Sequence, residues 1–163
     1  MLICTFMDCR TCGKIGSMSD LIPRIIGLDI GDARIGVAIS DPLYMTAAGL
    51  ECLTRKNMKT DVDRVKEICK RHGAIEIVLG LPLNMDGSSG SQAEKVKSFG
   101  RKLARATGLP IIYEDERLST VSAIRTLTIQ GVKTGHRKDL VDMQAAAIIL
   151  QRFLDAREPQ PTA

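Results

Sequence analysis

The chain predicts an α/β domain in which one central sheet is covered by helices on both faces. Three observations carry that expectation. Three strand-like segments follow one another between residues 24 and 53, amphipathic helical segments and short apolar runs then alternate, and 163 residues suffice for one domain with its own hydrophobic core.

The elements follow in order. Arg24 to Ile30 is apolar apart from Arg24 and Asp29, and a Gly-Asp-Ala-Arg turn leads into a second run at 35 to 40, the pattern of a hairpin. A third strand is expected near 47 to 53. Val62, Val65, Ile68 and Cys69 then recur at helical spacing, with Thr60 as the expected cap, Asp63 three residues later and Gly73 at the end. Ile75 to Leu81 is an apolar strand broken only by Glu76, and Pro82 with the polar stretch Asn84 to Gly90 ends it. Ser91 and Glu94 have the spacing of a capping box, opening a helix that carries Val96, Phe99, Leu103 and Ala106 on one face and stops at Gly108. Pro110 to Tyr113 is a further buried strand. A helix is expected from Ser119 or Thr120 to just before Gly131, then a loop to Lys138, then a last helix over about 139 to 156. The apolar middle of that helix, Ala145 to Leu150, requires a wide contact with the sheet. Residues 1 to 22 show no clear period and are expected to be a poorly ordered extension, so the domain proper spans 23–157 and 158–163 form a flexible tail.

Composition narrows the function classes. With no Trp, three Phe and two Tyr, the chain lacks the aromatic supply for a base-stacking platform. A net charge of +4 and a pI near 8.9 suit a nucleic-acid partner and equally suit an ordinary soluble enzyme. The five cysteines form no disulfide framework, and the Cys9-x-x-Cys12 pair has no further ligand at zinc-site spacing in His72 or His136. Cys52 and Cys69 read as core fillers, because no histidine is placed in sequence to activate either thiol. No run approaches the roughly eighteen apolar residues of a membrane span, and charged residues interrupt the amino end where a signal peptide would be uninterrupted. The expected location is the cytoplasm.

Three carboxylates carry the chemical signal. Asp29 interrupts an apolar strand between glycines, a placement that is costly unless a cation or a set of donors meets the charge. Glu116 follows the strand at 110 to 113, and Asp142 lies at the start of the closing helix. Ligands of open α/β sheets collect at such strand ends. Three carboxylates on three elements suit Mg²⁺ or Mn²⁺, and two such ions about 3.5 to 4 Å apart can drive phosphodiester hydrolysis. Each acid also has a structural reading: Asp29 as an acceptor of backbone bonds in a tight turn, Glu116 as part of a solvated Glu-Asp-Glu-Arg loop, and Asp142 as a dipole-favoured residue after an Asp139 cap. Arg34, Arg117, Lys133, Arg137 and Lys138 place cations near the three acids in sequence, where they can meet a phosphate or simply be solvated. The Gly- and Ser-rich stretch 84 to 91 offers backbone amides to a substrate but has no Walker pattern.

Four motifs in order resemble the YqgF family: Gly27-Leu-Asp-Ile-Gly31 with Arg34-Ile-Gly-Val-Ala38, Val78-Leu-Gly-Leu-Pro-Leu-Asn-Met-Asp-Gly87, Asp115-Glu-Arg-Leu-Ser-Thr120, and Asp142 ahead of Ala145 to Leu150. The likeness covers about residues 24 to 155. It implies an RNase H-like fold with a mixed sheet, kinship with Holliday junction resolvases, and a nuclease that matures the 5′ end of pre-16S rRNA during ribosome biogenesis. Carried over residue by residue, its acidic set falls on Asp29, Glu116 and Asp142, with Glu116 ranked above Asp115 and Asp139 read first as a cap. A nuclease for branched DNA and a non-catalytic nucleic-acid-binding module are the alternatives. The partners implied are pre-rRNA, branched DNA or ribosomal precursor particles, met by a monomer or a homodimer. Asp29-Ile-Gly31 also resembles the phosphate strand of actin-like sugar kinases, which need a second comparable domain.

Overall fold

The computed structural model describes residues 22–117 and 138–157. The extension expected over 1 to 22, apart from Ile22, the helix expected from Ser119 or Thr120, the tail after 157, and Lys133, His136 and Arg137 lie outside the described residues. Eight elements follow in order: β1 (Arg24–Ile30), β2 (Arg34–Ser40), β3 (Ala47–Thr54), α1 (Met58–Arg71), β4 (Ala74–Leu81), α2 (Ser91–Thr107), β5 (Ile111–Asp115) and α3 (Lys138–Ala156). The strands form one mixed sheet in the order β3-β2-β1-β4-β5. The β1–β2 and β2–β3 pairs are antiparallel, as short turns permit, whereas β4 and β5 run parallel to β1 after helical crossovers.

Side-chain alternation along each strand divides the core in two. Ile26, Leu28 and Ile30 of β1, Ile35 and Val37 of β2, and Ile77 and Leu79 of β4 pack beneath α1 and α2 with Val65, Phe99 and Leu103. Ile25, Ala38 and Val78 point the other way, against Ala146, Ile149 and Leu150 of α3. The expected helices on both faces are therefore present. Alternation also assigns Gly27 and Asp29 to the α3 side, with Ile25.

Three helix starts differ from expectation. The cap of α1 is Asn57, whose side chain accepts the Thr60 N–H at 2.9 Å, so Thr60 is a capped residue and not the cap. The cap of α2 is Gly90 in extended backbone, with no side-chain bond; Ser91 is already helical, and Glu94 pairs with Lys97 at 3.1 Å. Asp139 is likewise inside the first turn of α3 and not its cap, which makes Asp142 the fifth helical residue. The end signals hold. Gly108, at φ 72, closes α2 in the left-handed conformation that glycine adopts without strain.

One buried charge has a purely structural task. Asp61 is 1% exposed and accepts from Arg55 Nε at 3.2 Å and from the Lys56 N–H at 3.0 Å. Arg55 reaches on to the Gly31 carbonyl at 2.9 Å, so the pair ties α1 to the β1–β2 turn. Asp61→Ala leaves a guanidinium and an amide without their acceptor, and is expected to cost about 3 kcal/mol of unfolding free energy. Urea denaturation at unchanged slope checks this; a loss below about 1 kcal/mol would mean the pair behaves as a surface pair.

Candidate active site

The packing of α3 on the sheet is what creates the site. Its sheet-facing residues include three alanines, Ala145 to Ala147, and glycines lie on the strands beneath the helix. A Cβ on Gly27 would stand 2.7 Å from the Leu150 Cβ, one on Gly49 2.9 Å from the Met143 Cβ, and one on Gly36 would overlap the Asp142 carbonyl oxygen. Glycine is required at these strand positions because a helix backbone lies directly on them.

Two strand glycines, Gly36 and Gly80, lie beneath two of the predicted acids on either side of the third. Asp29, 5% exposed, lies within β1 itself and not in the turn, facing α3. Its antiparallel partner is Gly36, over which the Asp142 backbone sits. On the other side, the Leu28–Leu79 pair of the β1–β4 ladder makes Gly80 the next β4 residue beside Asp29. A Cβ on Gly80 would overlap Glu116 Oε1. Neighbouring strand positions are about 5 Å apart, so the Asp142 backbone lies over the β2 neighbour of Asp29 and the Glu116 carboxylate over its β4 neighbour.

Glu116 is no member of a solvated loop. It is 5% exposed, and its N–H bonds the Leu81 carbonyl at 3.2 Å, prolonging the β4–β5 ladder one residue beyond Asp115. Alternation then turns Asp115 the opposite way from Glu116. Asp115 accepts from Arg117 N–H at 2.9 Å and from Arg117 Nε at 2.8 Å, and the Arg117 guanidinium holds its carboxyl below the usual range. Arg152 of α3 clamps the same strand end by donating to the Asp115 carbonyl at 3.0 Å.

The predicted cations fall in different places. Arg34, at the start of β2, donates Nε to Asp142 Oδ2 at 2.5 Å and lies 3.7 Å from Asp139 Oδ1. The hydrogen bond to Asp142 raises the guanidinium's pKa further. Arg117 is drawn to Asp115 and to the backbone of Gly87, away from the three acids. Lys138 is exposed at the first position of α3, whereas Lys133 and Arg137 lie outside the described residues. Three amides of the loop before α2 are bonded internally: Asn84 N–H bonds Ser88 O, Gly87 N–H bonds Asn84 O, and Ser88 N–H bonds Asp86 Oδ1.

Two features escaped the sequence reading. Gly36 and Gly80 form the floor beneath Asp142 and Glu116, and the signal was a glycine in the middle of an apolar strand. Cys52 was expected in the core, yet it is half-buried with Sγ 3.9 Å from Asp142 Oδ2, because β3 pairs it with Gly36. Burial and the nearby Asp142 push its thiol up to about 11, which suits a filler and not a nucleophile. Cys69 is buried in the α1 core as expected.

The donor chemistry, three carboxylates on one face above a glycine floor, is that of Mg²⁺ and Mn²⁺ sites. Among the described residues, however, no three His, Cys, Asp or Glu side chains are gathered closely enough to hold one ion. The Asp142 carboxylate is engaged by Arg34.

A family model described as "RuvX: Holliday junction resolvase" matches residues 23–156. The chain belongs to the RuvX family. A Gloeobacter violaceus relative named "Putative pre-16S rRNA nuclease" is 50% identical over 139 residues, 85% of this chain and 88% of that one. A relative of the same name from Moorella thermoacetica is 48% identical over 132 residues, 81% of this chain and 94% of that one. These bear out the family expected from the four motifs. The solved structure of T. thermophilus RuvC in complex with a Holliday junction substrate aligns with TM-score 0.51 and 19% identity over 82% of this chain and 94% of that one. That likeness establishes the RNase H-like fold of this RuvX-family chain.

The glycine floor makes a paired prediction. Gly36→Ala sets a Cβ against helix backbone that cannot yield and is expected to cost about 3 kcal/mol. Gly80→Ala meets the ends of the flexible Glu116 and Ile149 side chains and is expected to cost about 1 kcal/mol. Denaturant melts of the two variants check the order, and equal losses would mean that α3 is free to ride outward.

Proposed function

We propose that this RuvX-family protein is a metal-dependent nuclease that trims precursor 16S rRNA at its 5′ end, with Asp29, Glu116 and Asp142 as its metal-binding and catalytic acids. The observation that carries the reading is the flanking of buried Asp29 by Asp142 over Gly36 and by Glu116 over Gly80. The substrate is taken from the names of the relatives. Because no helix among the described residues is long and apolar enough to cross a membrane, nothing there opposes a cytoplasmic setting beside ribosomal precursor particles.

A bound divalent ion supplies Lewis acidity toward the scissile phosphate and offsets the charge that develops on it. The chain's own residues do the rest. Asp29 sits on the rigid centre of the sheet and gives the site a fixed reference. Glu116 and Asp142 are brought to it by the β5 ladder and by α3, so a small shift of either element moves a ligand and not the floor. Arg34, Lys138, Lys133 and Arg137 meet backbone phosphates, while Arg117, locked to Asp115, presents its guanidinium beside the loop at Gly87. Contacts of this kind orient a strand without reading its bases, and they admit branched DNA as well as RNA. Branched DNA is the second reading because the family description names Holliday junctions.

Cleavage of a precursor 16S RNA fragment and of a four-way DNA junction, each with Mn²⁺, Mg²⁺ or EDTA, tests the proposal. RNA cutting is expected to vanish with EDTA and to fall by about a hundredfold or more in Asp29→Asn. Asp139→Asn is expected to retain most activity, since Asp139 is exposed and comes no nearer than 3.7 Å to Arg34, beyond hydrogen-bond distance. Cutting of the junction alone would favour the DNA reading. No cutting of either by folded protein that still binds them would move the assignment to a binding module.

A further inference from the structure

Arg34 and Asp142 are 108 residues apart in the chain, yet the fold sets them in direct contact. Both are fixed from below. Arg34 opens β2 and pairs with Thr54 of β3, while the Asp142 backbone rests on Gly36, two residues along the same strand. The carboxylate of Asp142 therefore has little freedom beyond rotation of its own side chain. Its Oδ2 takes the Arg34 Nε at 2.5 Å and has the Cys52 Sγ 3.9 Å away. The approach of the guanidinium to each of the two acids, Asp142 and Asp139, includes Nε. Each side chain is 29% exposed, so water and ions reach the pair.

A monocation and a dication cannot share one carboxylate oxygen without strong repulsion at such short range. We propose that Arg34 is a positioning residue that competes with the divalent ion for Asp142, so that metal uptake requires the guanidinium to leave Oδ2 and turn toward the substrate phosphate. This rests on the metal-dependent reading of the same site. One ion pair then controls two events: while it is closed, Asp142 is withheld from the metal and Arg34 is withheld from the phosphate. A purely structural role would have the opposite sign, because loss of a supporting arginine would loosen Asp142 and weaken metal binding.

Isothermal titration of Mn²⁺ into the full chain, without substrate, separates these outcomes. Variants are wild type, Arg34→Gln, Asp142→Asn and the double variant, with Arg34→Met as a second probe that keeps the aliphatic stem. Arg34→Gln or Arg34→Met is expected to bind Mn²⁺ about fivefold more tightly than wild type, the factor that corresponds to loss of one partly exposed pair. That gain is expected to disappear in the Asp142→Asn background, where a general effect of removing positive charge would persist. Equal or weaker binding by both Arg34 variants, with wild type binding normally, overturns the competition and leaves the metal site standing. A gain of equal size with Asp142→Asn present overturns it as well. Absence of Mn²⁺ binding in every folded variant overturns the metal reading itself and this inference with it.

Discussion

Contact between the backbone of α3 and the glycines of three strands is the constraint on which the rest of the molecule depends. Helices usually ride about 10 Å above a sheet on a cushion of side chains. Here Gly27, Gly36 and Gly49 remove the cushion on one side, and Ala145 and Ala146 thin it on the other. The close approach buries Ile149 and Leu150 completely or nearly so, which is how a helix with so few large side chains on its sheet face is held. It also lowers Asp142 to the level of the strand backbone, where an acid on an ordinary helix would stand too high to meet an acid on β1.

The two faces of the sheet are built for different purposes. Beneath α1 and α2 the contacts are aliphatic with Phe99 at the centre, and the one buried charge there among the described residues, Asp61, is at the periphery with Arg55. The α3 face carries Asp29 and Glu116 as buried acids, and around its edge Arg34, Arg152 and Arg157 each meet an acid on another element. Burying acids weakens a core, because the charged form loses hydration that the protein must replace. The aliphatic face supplies the stability against which that cost is set. A sheet sandwiched between unequal layers thus allows one layer to be rigid and the other to be chemical.

Much of this was legible from residues alone. The strands were marked by apolar runs, α1 and α2 by spacing and terminal glycines, and the three acids by their departure from those runs. What could not be read depended on competition or on distance. Thr60 and Ser91 both looked like caps, but Asn57 reaches the Thr60 N–H first and Gly90 already supplies the extended backbone that α2 needs. The contact of Arg34 with Asp142 spans 108 residues of chain, a distance over which spacing carries no signal. Of the amides in the 84 to 91 stretch, those of Asn84, Gly87 and Ser88 are bonded within the turn, the last by the short side chain of Asp86. Gly36 and Gly80 were quoted within motifs, yet their task as a floor appears only when α3 and Glu116 are seen above them.

The run Asp115-Glu-Arg117 shows how alternation turns three adjacent charges into separate parts. Because β5 extends through Asp115 and its ladder continues to the Glu116 N–H, successive side chains go to opposite sides. Glu116 enters the α3 face beside Asp29, while Asp115 stays outside and takes the guanidinium of Arg117. That pairing cancels the charge of Asp115 close to the site and keeps Arg117 from Glu116, a neighbour it could otherwise neutralise. A register slip of one residue in β5 would exchange the two acids: Asp115 has the shorter side chain and would fall short of Gly80, and Glu116 would be taken up by Arg117. The Arg152 bond to the Asp115 carbonyl and the Leu81 bond to the Glu116 amide therefore hold the register that decides which of the two acids enters the α3 face.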